Sequence, residues 1–151
     1  GDTPSTHIIK PNILGFNDTV WNEYFCMTLA KKVGLITPSV QVIELESTPF
    51  YVVERYDRIT ENGKIKRLHQ EDFCQLLNIP PEMKYENEGG PSLVDCFVAM
   101  DQWIQAGRMP GVDKLRLLRL AIFNYIIGNT DAHGKNFSIL YQNQGMVLAP
   151  C

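Results

Sequence analysis

Paired cysteines are missing from this sequence. Cys26, Cys74, Cys96 and Cys151 are scattered, with no C-x-x-C spacing, which argues against a disulfide scaffold and against a zinc site. Three of the four lie in apolar or helical-looking segments, where Cys behaves as a small buried hydrophobe. No apolar run reaches membrane-spanning length, and no basic-then-apolar leader opens the chain. Neither a bilayer nor a secretory route is therefore expected, and a reduced, cytoplasmic protein is. Excess positive charge is absent too. A net charge of −3 gives no electrostatic reason for this segment to bind nucleic acid. Internal repeats and low-complexity tracts are absent. What remains, 151 residues with 44% hydrophobic and 21% charged side chains, suits an ordinary globular protein with a real core. Both ends read as cut: the first residue is not Met, Gly1-Asp2-Thr3-Pro4 leads straight into a strand-like run, and the last residues are apolar. The expectation is an internal piece of a larger protein.

The most informative stretch is Gly128-Asn129-Thr130-Asp131-Ala132-His133-Gly134-Lys135-Asn136-Phe137. It follows a long apolar run and precedes a short alternating one, so it is expected to be a loop between a buried helix and a strand. Asp131 and Asn136 are five positions apart, the spacing of the Asp and Asn in a kinase catalytic loop. There, the Asp accepts or orients the hydroxyl proton of the phosphoryl acceptor. The Asn offers a carbonyl oxygen to magnesium, which prefers hard oxygen ligands. Lys135 adds positive charge where a transferring phosphate would sit. The pattern D-x-x-x-x-N is weak alone, because Asp and Asn commonly make turns and caps. His133 extends it to D-x-H-x-x-N, and the rest of the chain must supply its company.

Residues 5–10 read as a strand ending in Lys10, either a solvated edge lysine or the strand lysine that meets nucleotide phosphates in kinases. Asp18 or Thr19 caps a helix to about Val33, with Gly34 as its stop. Trp21, Phe25, Leu29 and Val33 form an apolar stripe on it. Glu23 lies off that stripe, as an exposed helix Glu or as the partner of Lys10. Two strands follow over residues 39–44 and 50–54, the second running into Arg55-Tyr56-Asp57-Arg58. Such a rim can serve an adenine with backbone groups and a ribose hydroxyl through Asp57, or it is simply a charged turn. Asn62-Gly63 marks a hairpin turn near Ile65. Helical spacing is expected from His69 through Gln70, Phe73, Cys74 and Leu77, ended by Pro80-Pro81. Residues 81–91 suit an ordered surface loop. Ser92 caps a helix to about Ala106 that uses Val94, Phe97, Val98 and Ile104. A further helix over residues 113–127, apolar nearly all round in its second half, is expected to be buried. A hairpin around Asn143-Gln144-Gly145 closes the chain.

Several blocks carry a family resemblance: Ser5-Thr6-His7-Ile8-Ile9-Lys10, Asn22-Glu23-Tyr24, Val53-Glu54-Arg55-Tyr56-Asp57-Arg58, Gln70-Glu71-Asp72-Phe73-Cys74-Gln75, Lys84-Tyr85-Glu86 with Gly89-Gly90-Pro91, and the loop of residues 128–137. With them the chain resembles the HipA family of bacterial serine/threonine protein-kinase toxins. The resemblance implies an α+β, protein-kinase-like two-lobed fold, an antiparallel-sheet lobe followed by a helical one. Residues 1–57 would be part of the N-lobe and 58–151 the start of the C-lobe. It implies ATP and Mg2+ as cofactors, with Lys10 on the phosphates, Glu54 and Tyr56 at the adenine and Asp57 near the ribose. Asp131 would be the catalytic base and Asn136 a metal ligand, with Lys135 beside the transferred phosphate. His133 reads either as a catalytic participant or as a structural histidine hydrogen-bonding the loop. The implied partners are a DNA-binding antitoxin of the HipB kind and an aminoacyl-tRNA synthetase as substrate.

Two family parts are expected outside this segment: the phosphate-covering loop with its regulatory serine before Gly1, and the second magnesium-binding Asp just after Cys151. The segment alone is therefore expected to be inactive. Two other readings compete: a small-molecule kinase of the aminoglycoside type, and a non-catalytic pseudokinase or antitoxin-binding module. His133 and the Lys84-Tyr85-Glu86 block favour the first resemblance over the aminoglycoside type. Lys10, Asp131 and Asn136 together argue against a mere scaffold.

Overall fold

Strand β1 (His7–Pro11) and strand β2 (Val40–Leu45) both pair with β3 (Thr48–Glu54), giving an antiparallel sheet in the order β1-β3-β2. The computed structural model describes residues 4–151; Gly1, Asp2 and Thr3, read above as leading into β1, lie outside the described residues. The chain divides into two compact units, the first ending at Arg67 and the second running from Leu68 to Ala149.

In the first unit the register sets Lys10 opposite Tyr51 and His7 opposite Glu54. The β2–β3 turn falls on Glu46 and Ser47, both left-handed (φ 50° and 64°), as a tight hairpin turn matched to strand twist requires. Helix α1 (Thr19–Lys32) packs on β2 and β3. Its start is capped from outside: the Val20 amide donates to Asn12 Oδ1 at 3.0 Å, and the Thr19 hydroxyl donates to the same oxygen at 3.2 Å. Asp18, a capping candidate on sequence grounds, makes no side-chain cap. The expected stripe is also corrected. Trp21, Phe25 and Val33 are exposed, while Val20 and Ala30 are the helix's buried side chains. The hairpin of β4 (Arg58–Glu61) and β5 (Lys64–Arg67) turns at Asn62-Gly63, as expected, and belongs to this unit.

The second unit holds a three-stranded antiparallel sheet in the order β6-β7-β8: β6 (Gln70–Asp72), β7 (Ser138–Gln142) and β8 (Gly145–Leu148). The helix expected from about His69 starts only at Phe73, as α2 (Phe73–Leu76). Residues 70–72 pair with Leu140, Ile139 and Ser138 instead. Asp72 then caps α2, its carboxylate accepting from the Gln75 amide at 2.9 Å while the Gln75 side chain accepts from the Asp72 amide. This capping box stops the helix from growing backwards into the strand.

Helix α3 (Leu93–Gln105) has the expected Ser92 cap, reciprocated by Asp95. Its buried residues are Cys96, Ala99 and Met100; Val94 and Val98 are exposed, contrary to expectation. Helix α4 (Val112–Ile126) is likewise only half covered, with Leu117 and Leu120 buried but Ile122, Tyr125 and Ile126 exposed. Phe73, Met100, Leu117, Ile139 and Met146 form the core of this unit. All four cysteines are free, and burial pushes the Cys96 thiol up to about 12. No described helix is long and apolar enough to cross a membrane.

One polar side chain sits in that core. Asp113 is completely buried, accepts from the Leu148 amide at 2.8 Å and pairs with Arg116 at 2.6 Å. It thereby ties α4 to β8. Asp113→Ala leaves the buried Leu148 amide without its acceptor, so a loss of about 1–3 kcal/mol is expected. Denaturant unfolding with an unchanged slope and a lower midpoint is the readout.

Candidate active site

The loop after α4 is built by its own asparagine. Gly128 takes a left-handed φ of 69°, and the Asn129 amide closes back onto Asn124 O at 2.9 Å. Asn129 Nδ2 donates to Asn124 Oδ1 at 3.1 Å, while Asn129 Oδ1 accepts from the Asp131 amide at 3.2 Å. Such a side-chain-to-backbone turn sets the direction in which residue 131 leaves the helix. Gly134–Asn136 forms a single 3-10 turn, closed by the Asn136 amide on His133 O at 2.9 Å.

Neighbouring elements hold this loop. A Cβ on Gly134 would lie 2.4 Å from Pro91 Cγ and 3.1 Å from Cys74 Sγ, so only glycine fits where the loop touches α2 and Pro91. The Phe73 amide donates to Phe137 O at 3.1 Å. Gly90 is equally constrained: a Cβ there would lie 2.6 Å from Met83 O and 2.7 Å from Tyr85 O. The Gly90 amide also donates to Tyr85 O at 2.8 Å. The close approach fixes the backbone of the Lys84-Tyr85-Glu86 block beside the loop.

Asp131 is the point of convergence. Its side chain is 64% exposed, yet three groups address one of its oxygens. The Tyr85 hydroxyl donates to Oδ1 at 2.7 Å, with His133 Nε2 at 3.5 Å and Lys84 Nζ at 3.9 Å from the same atom. The Tyr85 hydrogen bond holds the Asp131 carboxyl below its ordinary value; slight burial opposes this, and the charges of His133 and Lys84 add to it. His133 stands edge-on to the Tyr85 ring, centroids 5.0 Å apart, and Lys84 Nζ lies 4.7 Å from that ring's centre. The His133 side chain is largely buried, and its Nδ1 has no hydrogen-bond partner among the described residues. An open pocket of about 280 Å³ adjoins the loop, lined by Tyr85, Pro91, Leu93, Asn124 and His133 among others.

Lys135 and Asn136 are exposed on the same loop. No group of three or more His, Cys, Asp or Glu side chains suited to a metal occurs among the described residues. Tyr85 and Asn129, which support Asp131, escaped the reading of the sequence. The Lys84-Tyr85-Glu86 block was conspicuous there, but nothing local to it pointed to residue 131.

The remaining candidates lie in the first unit. Lys10 pairs with Glu23 at 2.5 Å and sits 5.7 Å from the centre of the Tyr51 ring. Glu23 is thus the partner of the strand lysine, one of the two fates open to it from sequence. The Glu54 amide is already donated to Ser39 O at 2.9 Å and the Arg55 amide to Thr6 O at 2.8 Å. Tyr56 follows, half-buried. Asp57 is buried between Arg55, at 3.3 Å, and Arg58. Burial alone raises its carboxyl, but the hydrogen bonds and charges of the two arginines outweigh that and hold it below the ordinary value.

Comparison with known proteins gives this geometry its kinship. The chain is 50% identical over 147 residues to a Sinorhizobium fredii protein named "Putative kinase Y4mE", covering 97% of this chain and 34% of that protein. It is 33% identical over 159 residues to the serine/threonine-protein kinase toxin HipA of Shewanella oneidensis, covering 99% of this chain and 36% of that one. The chain thus spans about a third of the length of these relatives. Among solved structures it matches the Shewanella oneidensis HipA in complex with HipB and operator DNA, with a TM-score of 0.80 and 32% identity over 97% of this chain and 36% of that one. The Helicobacter pylori proinflammatory kinase CtkA matches at a TM-score of 0.68 and 19% identity, covering 95% of this chain and 48% of that one. At that identity the second match speaks for the fold alone, and the fold is α+β and kinase-like. The model of the HipA-like C-terminal domain matches residues 1–151 throughout, and the chain belongs to that family.

Proposed function

We propose that this chain carries most of the nucleotide and acceptor site of an ATP- and magnesium-dependent serine/threonine protein kinase. The observation that supports this most is Asp131. It is an exposed carboxylate held in its ionised form, five residues before Asn136, in a family whose named relatives are kinases. A base at this position must be both ionised and reachable, and Asp131 is both.

The residues present fit the implied cofactors. Asn136 offers one hard oxygen, and magnesium is held in kinases by few protein ligands, phosphates and water rather than by an all-protein cage. When bound, ATP supplies the phosphoryl group and the metal neutralises its charge. Lys10, oriented by Glu23, would neutralise phosphate oxygens. The rim from Glu54 to Asp57 would face the nucleoside, with Tyr56 contributing backbone. Because Asp57 is clamped by two arginines, a ribose hydroxyl would be served by a carboxylate that does not move. Asp131 would take the proton of the acceptor hydroxyl as that oxygen joins phosphorus and the bond to the ADP oxygen breaks. Lys135 would balance the charge developing on the transferred group.

For the full-length protein we infer a cytoplasmic toxin, paired with a HipB-like DNA-binding antitoxin and acting on a protein such as an aminoacyl-tRNA synthetase. The structure of the Shewanella relative with HipB and operator DNA supports the first partner. The test is transfer of label from γ-labelled ATP, with magnesium, to proteins of a bacterial extract, followed by mass spectrometry. Phosphate on a serine or threonine is the expected result. ATP binding without transfer would favour the non-catalytic reading, and label on a small molecule the aminoglycoside-type one.

A further inference from the structure

We propose that Tyr85 is a positioning residue for phosphoryl transfer: with Lys84 and His133 it engages Oδ1 of Asp131 and so reserves Oδ2 for the acceptor hydroxyl. The inference rests on the kinase reading above and deepens it.

A carboxylate has two chemically equivalent oxygens and turns easily about its last torsion, whose preferences are broad. An exposed aspartate in a loop has little to hold that torsion. Asp131 is exposed, yet the Tyr85 hydroxyl donates to Oδ1, and the nearest approach of both His133 and Lys84 is to that same oxygen. The asymmetry assigns the two oxygens different work. Oδ1 is the anchored atom, and Oδ2 is the one left for a proton in flight. A base fixed in this way presents one lone-pair direction to the acceptor, which is the orientation that proximity effects demand.

Tyr85 is itself held for the task. Its ring has His133 edge-on against it and the Lys84 ammonium near it, and its carbonyl is bound by Gly90. None of these contacts depends on the hydroxyl, so the hydroxyl can be removed without disturbing its surroundings. The depressed carboxyl of Asp131 agrees with the geometry, since Tyr85 is the main influence lowering it. Among the described residues, the other titratable side chains that approach Asp131 are Lys84 and His133, and both stay in place when Tyr85 loses its hydroxyl.

The experiment compares Tyr85→Phe and Asp131→Asn with the wild type in the full-length kinase, with Lys84→Met as a second probe of the same anchor. Rates of transfer, KM for ATP, thermal midpoint and the pH profile of kcat are measured for each. Tyr85→Phe is expected to lower kcat ~10-fold, with KM for ATP and the midpoint unchanged. The acid limb of its profile should move to higher pH, because the contact that holds the Asp131 carboxyl down is gone. Lys84→Met should do the same more weakly. A wild-type kcat and an unmoved acid limb in Tyr85→Phe, beside an inactive Asp131→Asn, would overturn the positioning role and leave the kinase reading standing. Faster turnover in Tyr85→Phe would overturn it too, by showing that the hydroxyl obstructs the base. Full activity in Asp131→Asn would remove the base itself, and the proposal with it.

Discussion

Asp131→Asn in the full-length protein is expected to slow phosphoryl transfer by ~10²–10⁴-fold, the usual cost of losing a general base. The amide keeps the size of the carboxylate and can still accept the Tyr85 hydroxyl through its oxygen, so the loop should not move. What it cannot do is take up a proton. The side chain is exposed and away from the core, so stability should change by no more than about 0.5 kcal/mol. Lys10 and the rim from Glu54 to Asp57 are untouched, so nucleotide binding should survive. Single-turnover transfer and titration with a fluorescent nucleotide separate the two effects. Undiminished transfer would sink the assigned role; lost binding would mean that the residue serves the nucleotide instead. The wild type should also show a particular acid limb. A base must be ionised, and Asp131 is held below the ordinary value for aspartate, about 3.9. Its activity should therefore persist to lower pH than an unassisted aspartate would allow.

Local structure was legible in the sequence, and distant pairing was not. The Asp131-to-Asn136 segment lies in a loop between α4 and β7, where the flanking apolar patterns predict one. The Asn62-Gly63 turn and the Ser92 cap are equally local, and each appears where its residues predict. The Lys10–Glu23 pair needed only a strand and a helix, both plainly marked. Strand β6 was missed because its reason for existing is β7, some seventy residues later. The apolar spacing just after it, Phe73, Cys74 and Leu77, suits a helix, and pairing with β7 keeps residues 70–72 out of that helix. The Asp72-to-Gln75 capping box was the available signal that the helix starts at Phe73.

Helix faces were a different failure. Periodicity reports that apolar residues recur, not which of them meet a neighbour. In α1 and α3 the buried positions are Val20, Ala30, Cys96, Ala99 and Met100, three of them small side chains that let a helix approach its neighbours. The larger Trp21, Phe25, Val94 and Val98 are left exposed. Tyr85 illustrates the same limit at the site, since its partner lies 46 positions away. A block of Lys84-Tyr85-Glu86 followed by Gly89-Gly90-Pro91 signals an ordered loop and says nothing about what the tyrosine will touch.

Asp57→Ala is expected to destabilise the first unit by about 3 kcal/mol, the lower end of the cost of removing one partner of a buried ion pair. The figure follows from what stays behind. The Arg58 side chain is 6% exposed and Arg55 28% exposed, so at least one guanidinium would keep its charge in a poorly hydrated place. Arg58 retains its bonds to Ser5 O, at 2.9 Å, and Asp57 O, at 3.3 Å, which is why the upper end is not expected. The pair also makes a prediction about acid. The Asp57 carboxyl titrates below its unfolded value when the protein is folded. Its contribution is therefore fully present above the unfolded value, about 3.9, and is lost as pH falls through the folded one. Wild type and Asp57→Ala should differ most in denaturant midpoint at neutral pH, and their midpoints should converge below about pH 4. A gap that stayed constant down to pH 2, well under the ordinary aspartate range, would mean that the arginines stabilise this corner by packing and not by pairing with Asp57.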